Sequence, residues 1–182
     1  MEIRRATSAD AGAVLDIYGP FVAGSHASFE DRPPGLDDLR ARIRDSLAWF
    51  VAESEGEIEG YAYASPFHPR PAYRWSVEVS VYVAPGGQGR GVGRELLATL
   101  LADLHECGYV NAFAGIALPN DASVHLFESF GFEQIARQRE VGFKLGEWHD
   151  VGWWQLHLRD RSIPPPDIRM RAQAAGPHEA PA

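Results

Sequence analysis

The sequence predicts a single mixed α/β domain, and three observations carry that expectation. Apolar residues recur at helical spacing in several windows, residues 74–83 alternate with period two, and a glycine-rich run joins that segment to a long amphipathic stretch. Read in order, the elements give βααβββαβαββ, a mixed central sheet flanked by helices.

Residues 2–6 read as a first strand. The segment Thr7-Ser8-Ala9-Asp10 then offers a helix-capping pattern, after which Ala11, Val14, Leu15 and Tyr18 lie on one helical face. An irregular stretch ends at Pro33-Pro34, which opens a new helix more readily than it continues an old one. Leu36, Leu39, Ile43 and Leu47 form that helix's apolar stripe. Residues 49–53 and 58–65 read as two strands of a hairpin. The alternating strand follows, with Trp75, Val77, Val79, Val81 and Val83 on one face and Arg74, Ser76, Glu78, Ser80 and Tyr82 on the other. One face is core, and the other is polar with a carboxylate at its middle. A helix over 92–107 faces Leu96, Leu97, Leu100, Leu101 and Leu104 inward, with Gly108 placed to end it. A short strand (111–117), a helix (121–130) and two strands (133–141 and 151–158) complete the pattern.

Length and composition fit one domain over residues 1–160, followed by a Pro/Ala-rich C-terminal tail over 161–182 with no core of its own. The chain has 182 residues and a formal net charge of −8, which argues against nucleic acid, because a polyanion needs a basic footprint. No apolar run approaches a membrane span, and the N-terminus lacks a signal-like apolar region. A single cysteine, Cys107, excludes an intramolecular disulfide and a thiol-based metal set, consistent with a cytoplasmic protein. His149-Asp150 with His157 has no metal-ligand spacing, so no metal is expected.

The segment Gln88-Gly89-Arg90-Gly91-Val92-Gly93-Arg94 carries the most chemistry. Glycines at alternate positions remove every second Cβ, so the backbone can wrap a ligand and turn its N–H groups inward. The helix starting there adds its positive end, and two arginines stand beside it. A phosphate or pyrophosphate site follows, against the alternative of an ordinary tight turn. A Walker A loop is excluded because no Lys-Ser or Lys-Thr occurs. The dinucleotide pattern fails because Arg94 stands where its third glycine belongs.

Gln88-x-x-Gly91-x-Gly93 after a valine-rich strand resembles the acyl-CoA pyrophosphate motif of the GNAT superfamily of N-acetyltransferases. Tyr73-Arg74-Trp75-Ser76-Val77-Glu78, Leu118-Pro119-Asn120-Asp121 and the block from Gly142 to Gln155 resemble, more narrowly, phosphinothricin and methionine sulfoximine N-acetyltransferases. The resemblance spans roughly residues 2–158. It implies a GNAT fold in which two parallel strands splay to form an acyl-CoA cleft, with acetyl-CoA as co-substrate. Val81, Tyr82 and Val83 would hold pantetheine through their backbone, and residues 88–94 the pyrophosphate. Asn120 and Ser123 would contact the cofactor from the next helix, although Asn120 also suits a helix N-cap. The resemblance further implies a homodimer.

Acetyl transfer requires a neutral amine, whereas a free α-amine is mostly protonated at neutral pH. Glu78, the one acid on the polar face of its strand, is the candidate general base; the plain alternative is a solvated carboxylate. The departing thiolate needs a proton, and here the chain departs from its relatives. Phe127 stands where they usually carry His or Tyr, and His125 lies on nearly the opposite helical face. Tyr82, on the face of Glu78, is the substitute. For the acceptor, residues 66–74 form a proline-stiffened loop with Tyr73, Arg70 and Arg74. A guanidinium fork suits an amino acid's acid group, unless these are plain surface charges. Phe29 resembles the family's substrate-side aromatic. The expected function is therefore acetylation of a small-molecule amino acid or analogue. The alternatives are a protein N-terminal or lysine acetyltransferase and a non-catalytic acyl-CoA-binding module.

Overall fold

The computed structural model describes residues 1–169. Its elements are β1 (Glu2–Arg5), α1 (Ala11–Gly24), α2 (Leu36–Asp45), β2 (Ala48–Ser54), β3 (Glu57–Pro66), β4 (Ser76–Val83), α3 (Val92–Cys107), β5 (Asn111–Leu118), α4 (Asp121–Glu128), β6 (Glu133–Lys144) and β7 (Glu147–His157). The expected order βααβββαβαββ is the observed one. The strands form one seven-stranded sheet ordered β1-β2-β3-β4-β5-β7-β6. Every neighbouring pair is antiparallel except β4–β5, which is parallel.

The sheet separates two cores. On one face Val77, Val79, Ala112 and Ala114 pack with Leu96, Leu97, Leu100 and Leu104 of α3 and with Phe127, Phe132 and Trp154. On the other, Trp49, Val51 and Tyr61 pack beneath Val14, Tyr18 and Val22 of α1 and Leu39 and Ile43 of α2. The period-two pattern of β4 thus feeds its valines to the α3 side and directs Glu78, Ser80 and Tyr82 to the α1–α2 side. The β3 backbone comes so near β4 and α3 at Gly60 that an added Cβ would lie 2.9 Å from Tyr82 O.

Four local expectations are corrected. Leu47 does not extend the α2 stripe, since α2 stops at Asp45 and Leu47 donates its N–H to Ala64 O at 3.1 Å. Arg74 and Trp75 precede β4 in a turn that Pro71 opens, with the Arg74 guanidinium 3.8 Å from the Trp75 ring centre. The helix expected over 121–130 ends at Glu128. The last two strands run on into a continuous hairpin over residues 142–150. Leu145 and Gly146 turn it with φ of 54° and 85°, the left-handed pair that a two-residue hairpin turn needs.

Part of the segment expected as a tail lies against the domain. Trp75 Nε1 donates to Pro166 O at 2.8 Å, Arg169 N donates to Cys107 O at 2.8 Å, and Ile168 packs on the α3-side core. Residues 170–182 lie outside the described residues. No helix among the described residues is long and apolar enough to cross a membrane.

Candidate active site

β4 and β5 pair for only three residues, Ser76 with Asn111, Val77 with Ala112 and Glu78 with Phe113. Beyond Glu78 the strands part, β5 continuing against β7 and β4 against β3. A cleft of about 410 Å³ opens between them. Residues 79–83 line one side, residues 115–117 the other, the glycine turn one end, and Asn120, Ser123 and Phe127 the wall from α4.

The glycine turn owes its shape to two left-handed residues, Gly89 (φ 73°) and Gly91 (φ 85°). Gly91 is the N-cap of α3, and no side chain caps that helix. The amides of the first turn have no partner within a helix, and the turn they belong to borders the cleft. At Gly93 an added Cβ would meet Leu126 and Val83 at 3.4 Å, narrowing the same passage. All the residues expected at the cofactor line the cleft except Arg90. Arg90 instead donates to Glu59 Oε1 at 2.8 Å, beside the turn. Arg94 is steadied by Ser129 Oγ at 3.3 Å and the Phe130 ring at 5.1 Å. Asn120 is the α4 N-cap, its Oδ1 accepting from Ser123 N at 3.2 Å, and it also lines the cleft.

Glu78 is the last residue of β4 to pair with β5, at the point where the strands part. Its cross-strand neighbours are Ser65 on β3 and Phe113 on β5, and Phe67 stacks on Phe113 at 4.2 Å. Phe113, with Phe67 stacked on it, gives this position an apolar flank. Among the described residues the carboxyl makes no hydrogen bond or ion pair. Burial raises its pKa from the ordinary 4.5. Phe127 is 4% exposed and packs edge-on against Phe132 at 5.1 Å, so the cleft wall it forms has no proton to give. Tyr82 borders the cleft beneath Tyr18 and Phe21, whose rings lie 5.1 and 5.3 Å away. Burial pushes its phenol well above the usual 10, which keeps it a neutral donor.

Residues 14–132 match the Acetyltransferase (GNAT) family. The chain belongs to that family. It is 42% identical over 175 residues to a phosphinothricin N-acetyltransferase of Streptomyces viridochromogenes, covering 94% of this chain and 93% of that one. It is 37% identical to an L-amino acid N-acyltransferase of Escherichia coli, covering 90% and 98%. Among solved structures, a GNAT superfamily phosphinothricin acetyltransferase from Sinorhizobium meliloti in complex with acetyl-CoA superposes with a TM-score of 0.83 at 33% identity, covering 86% and 87%.

In this GNAT acetyltransferase the expected acceptor residues sit apart from the cleft. Phe29 lies in the α1–α2 connection and Arg70, Tyr73 and Arg74 in the β3–β4 loop, and none of the four lines it. Arg70 makes no side-chain hydrogen bond or ion pair among the described residues, whereas Arg74 is stacked on Trp75. Tyr73 packs against His68 at 4.6 Å. The α1–α2 connection is tied to the β6–β7 hairpin, with Lys144 Nζ donating to Ser28 O at 2.5 Å and the His26 and His149 rings stacked at 4.5 Å.

Sequence reasoning missed the α1 contribution to the cleft, Phe21, and the row of rings on the sheet beneath α1 and α2. Trp49 stacks on Tyr63 at 4.5 Å and on Tyr61 at 5.5 Å, and Tyr61 stacks on Tyr82 at 5.2 Å. The signal was present as tyrosines at alternate positions 61 and 63, but only strand register aligns them with Tyr82 and Ser80.

The raised pKa of Glu78 has a consequence for stability. A carboxyl whose folded pKa lies above its unfolded value penalises the folded state once it ionises, so the penalty is absent below the unfolded pKa and grows as pH rises through the folded one. Glu78→Gln should therefore raise the urea midpoint near neutral pH and give no gain below about pH 4, where both states are protonated. Denaturation curves of both proteins across pH check this, and an equal shift at every pH would contradict it.

Proposed function

We propose that this GNAT acetyltransferase moves the acetyl group of acetyl-CoA onto the α-amine of a free amino acid or analogue, the class to which phosphinothricin and methionine sulfoximine belong. The observation that carries the reading is Glu78, an unpartnered, half-buried carboxyl at the point where the cleft opens. The names of the relatives at 42% and 37% identity support the acceptor class.

The residues present fit acetyl-CoA. The uncapped start of α3 and the left-handed Gly89 and Gly91 suit the pyrophosphate, with Gln88, Val92, Gly93 and Arg94 around it. The unpaired β4 edge at Val81, Tyr82 and Val83 suits the amide groups of pantetheine, and Asn120 and Ser123 close the far wall. When bound, acetyl-CoA supplies an activated thioester carbonyl. Glu78 takes the amine's proton, directly or through one water, and its raised pKa brings it nearer the working pH of a base. A backbone N–H on the parted β4 edge stabilises charge developing on the carbonyl oxygen. Tyr82 donates its hydroxyl proton toward the leaving sulfur, a role Phe127 cannot take. On the acceptor side Arg70, with Arg74, pairs with the acid group, while Phe29 and Tyr73 flank the substrate. The reading includes a cytoplasmic location, which the single cysteine supports.

It also includes a homodimer. Ile135, Val141, Phe143, Leu145 and Trp148 are all more than half exposed, and all lie on the β6–β7 hairpin. Such a patch on a protein of net charge −8 is what a second copy would cover. Trp148→Glu should shift the sedimentation coefficient to that of a monomer; a wild-type protein already monomeric at micromolar concentration would end the dimer reading.

Two further measurements test the chemistry. With acetyl-CoA and a panel of free amino acids, phosphinothricin and methionine sulfoximine, thiol release should be rapid, and Glu78→Gln should lower kcat by about 100-fold or more near neutral pH. Efficient acetylation of peptides with none of free amino acids would favour a protein acetyltransferase, and CoA binding without any turnover a non-catalytic module. Gly91→Ala forces a side chain into a left-handed position, costing about 1–2 kcal/mol and turning the capping amides. Calorimetry should find CoA binding at least about tenfold weaker in the folded variant; unchanged affinity would remove the turn from the cofactor site.

A further inference from the structure

A second cavity, of about 280 Å³, lies on the α1–α2 side of the sheet, lined by Tyr18, Leu39, Arg42, Trp49, Tyr63 and Ser65 among others. It is distinct from the cleft between β4 and β5, with which it shares no lining residue. The two are nevertheless neighbours. On β3, Ser65 stands opposite Glu78 and Tyr63 opposite Ser80, and opposed residues of an antiparallel pair project to the same face. Val79 and Ser80, next along β4, line the cleft. Glu78 therefore lies with the cleft on one flank and the second cavity one strand away on the other.

The chemistry of the second cavity is one-sided. Its walls are the Trp49, Tyr61 and Tyr63 rings and the Leu39 side chain, so the interior is apolar. Charge is confined to its α2 side, where Arg42 donates to Glu30 Oε1 at 2.6 Å and Asp45 lies nearby. An apolar cavity of about 150 Å³ is enough to hold a benzene molecule, so this one has room for an aromatic ring. The offset and edge-on contacts that ring faces prefer are available from its walls. A compact polar side chain would leave that apolar surface uncovered.

We propose that the second cavity receives the side chain of the acceptor, and that this acetyltransferase prefers free amino acids with an aromatic side chain, phenylalanine being the probe. The proposal rests on the reading of Glu78 as the base of an amino acid acetyltransferase. With the α-amine at Glu78, the side chain crosses β3 at Ser65 and enters between Tyr63 and Leu39, while the thioester approaches from the cleft. The reaction is unchanged: the amine loses its proton to Glu78, the C–S bond breaks, the C–N bond forms and the thiolate takes a proton. The cavity acts by positioning, and a hydrophobic pocket discriminates by about 10- to 200-fold for a single methylene group.

The test compares kcat/KM for L-phenylalanine, L-alanine and phosphinothricin with acetyl-CoA, in the wild type and in Ser65→Phe, whose ring would occupy the cavity entrance. Phenylalanine should exceed alanine by at least about 100-fold in the wild type, and Ser65→Phe should lower the phenylalanine-to-alanine ratio at least about tenfold. The wild-type comparison stands even if the variant does not fold. Alanine or phosphinothricin acetylated as well as phenylalanine overturns the proposal while leaving the amino acid acetyltransferase intact. An equal loss for all acceptors in Ser65→Phe likewise overturns it. Acetylation of none of the three brings down the amino acid reading and this proposal together.

Discussion

The whole site depends on the parting of β4 from β5 after the Glu78–Phe113 pair. A sheet interior ordinarily satisfies every backbone N–H and C=O across its ladders, and each buried group left without a partner costs about 1–3 kcal/mol. Residues 79–83 and 115–117 face each other across a gap too wide for those bonds, so the groups along it need another partner. An extended ligand with amide groups of its own meets that need. The flanking ladders with β3 and β7 run on past the point of parting, so each strand keeps its other neighbour.

What the sequence made legible follows from how local each signal is. The alternation over residues 74–83 needs only neighbours to be read, so β4 and the position of Glu78 were accessible. The glycine turn was readable for the same reason, since positive φ at Gly89 and Gly91 is a property of the residues themselves. The extension of β6 and β7 through residues 142–150 was hidden because that hairpin faces solvent, where Phe143, Leu145 and Trp148 obey no burial pattern. The pairing of Arg90 with Glu59 was not readable, because the two are 31 residues apart in sequence. The second cavity could not be read at all. Its walls come from α1, α2, β2 and β3, and only the pairing of Trp49 with Tyr63 and of Tyr63 with Ser80 assembles them.

Glu78 shows the tension common to reactive groups. Nothing nearby compensates its charge, so its apolar neighbours Phe113 and Phe67 make it a poorer contributor to stability and a better proton acceptor. Burial acts on Tyr82 in the same sense, holding that phenol neutral over the pH range in which the carboxylate ionises. One strand thus carries this carboxyl and this phenol four residues apart, on the same face and separated by Ser80.

The connection between α1 and α2 takes its shape from the other end of the chain. Ser28 is held by Lys144 across 116 positions of sequence, and His26 rests on His149. Contacts of such separation repay the entropy of loop closure only after the intervening chain has been organised. The connection that carries Phe29 is therefore among the last parts of the molecule to take its final form during synthesis. A nascent chain still lacking β6 and β7 would carry the glycine turn and Glu78 but not the Lys144 and His149 contacts of that connection.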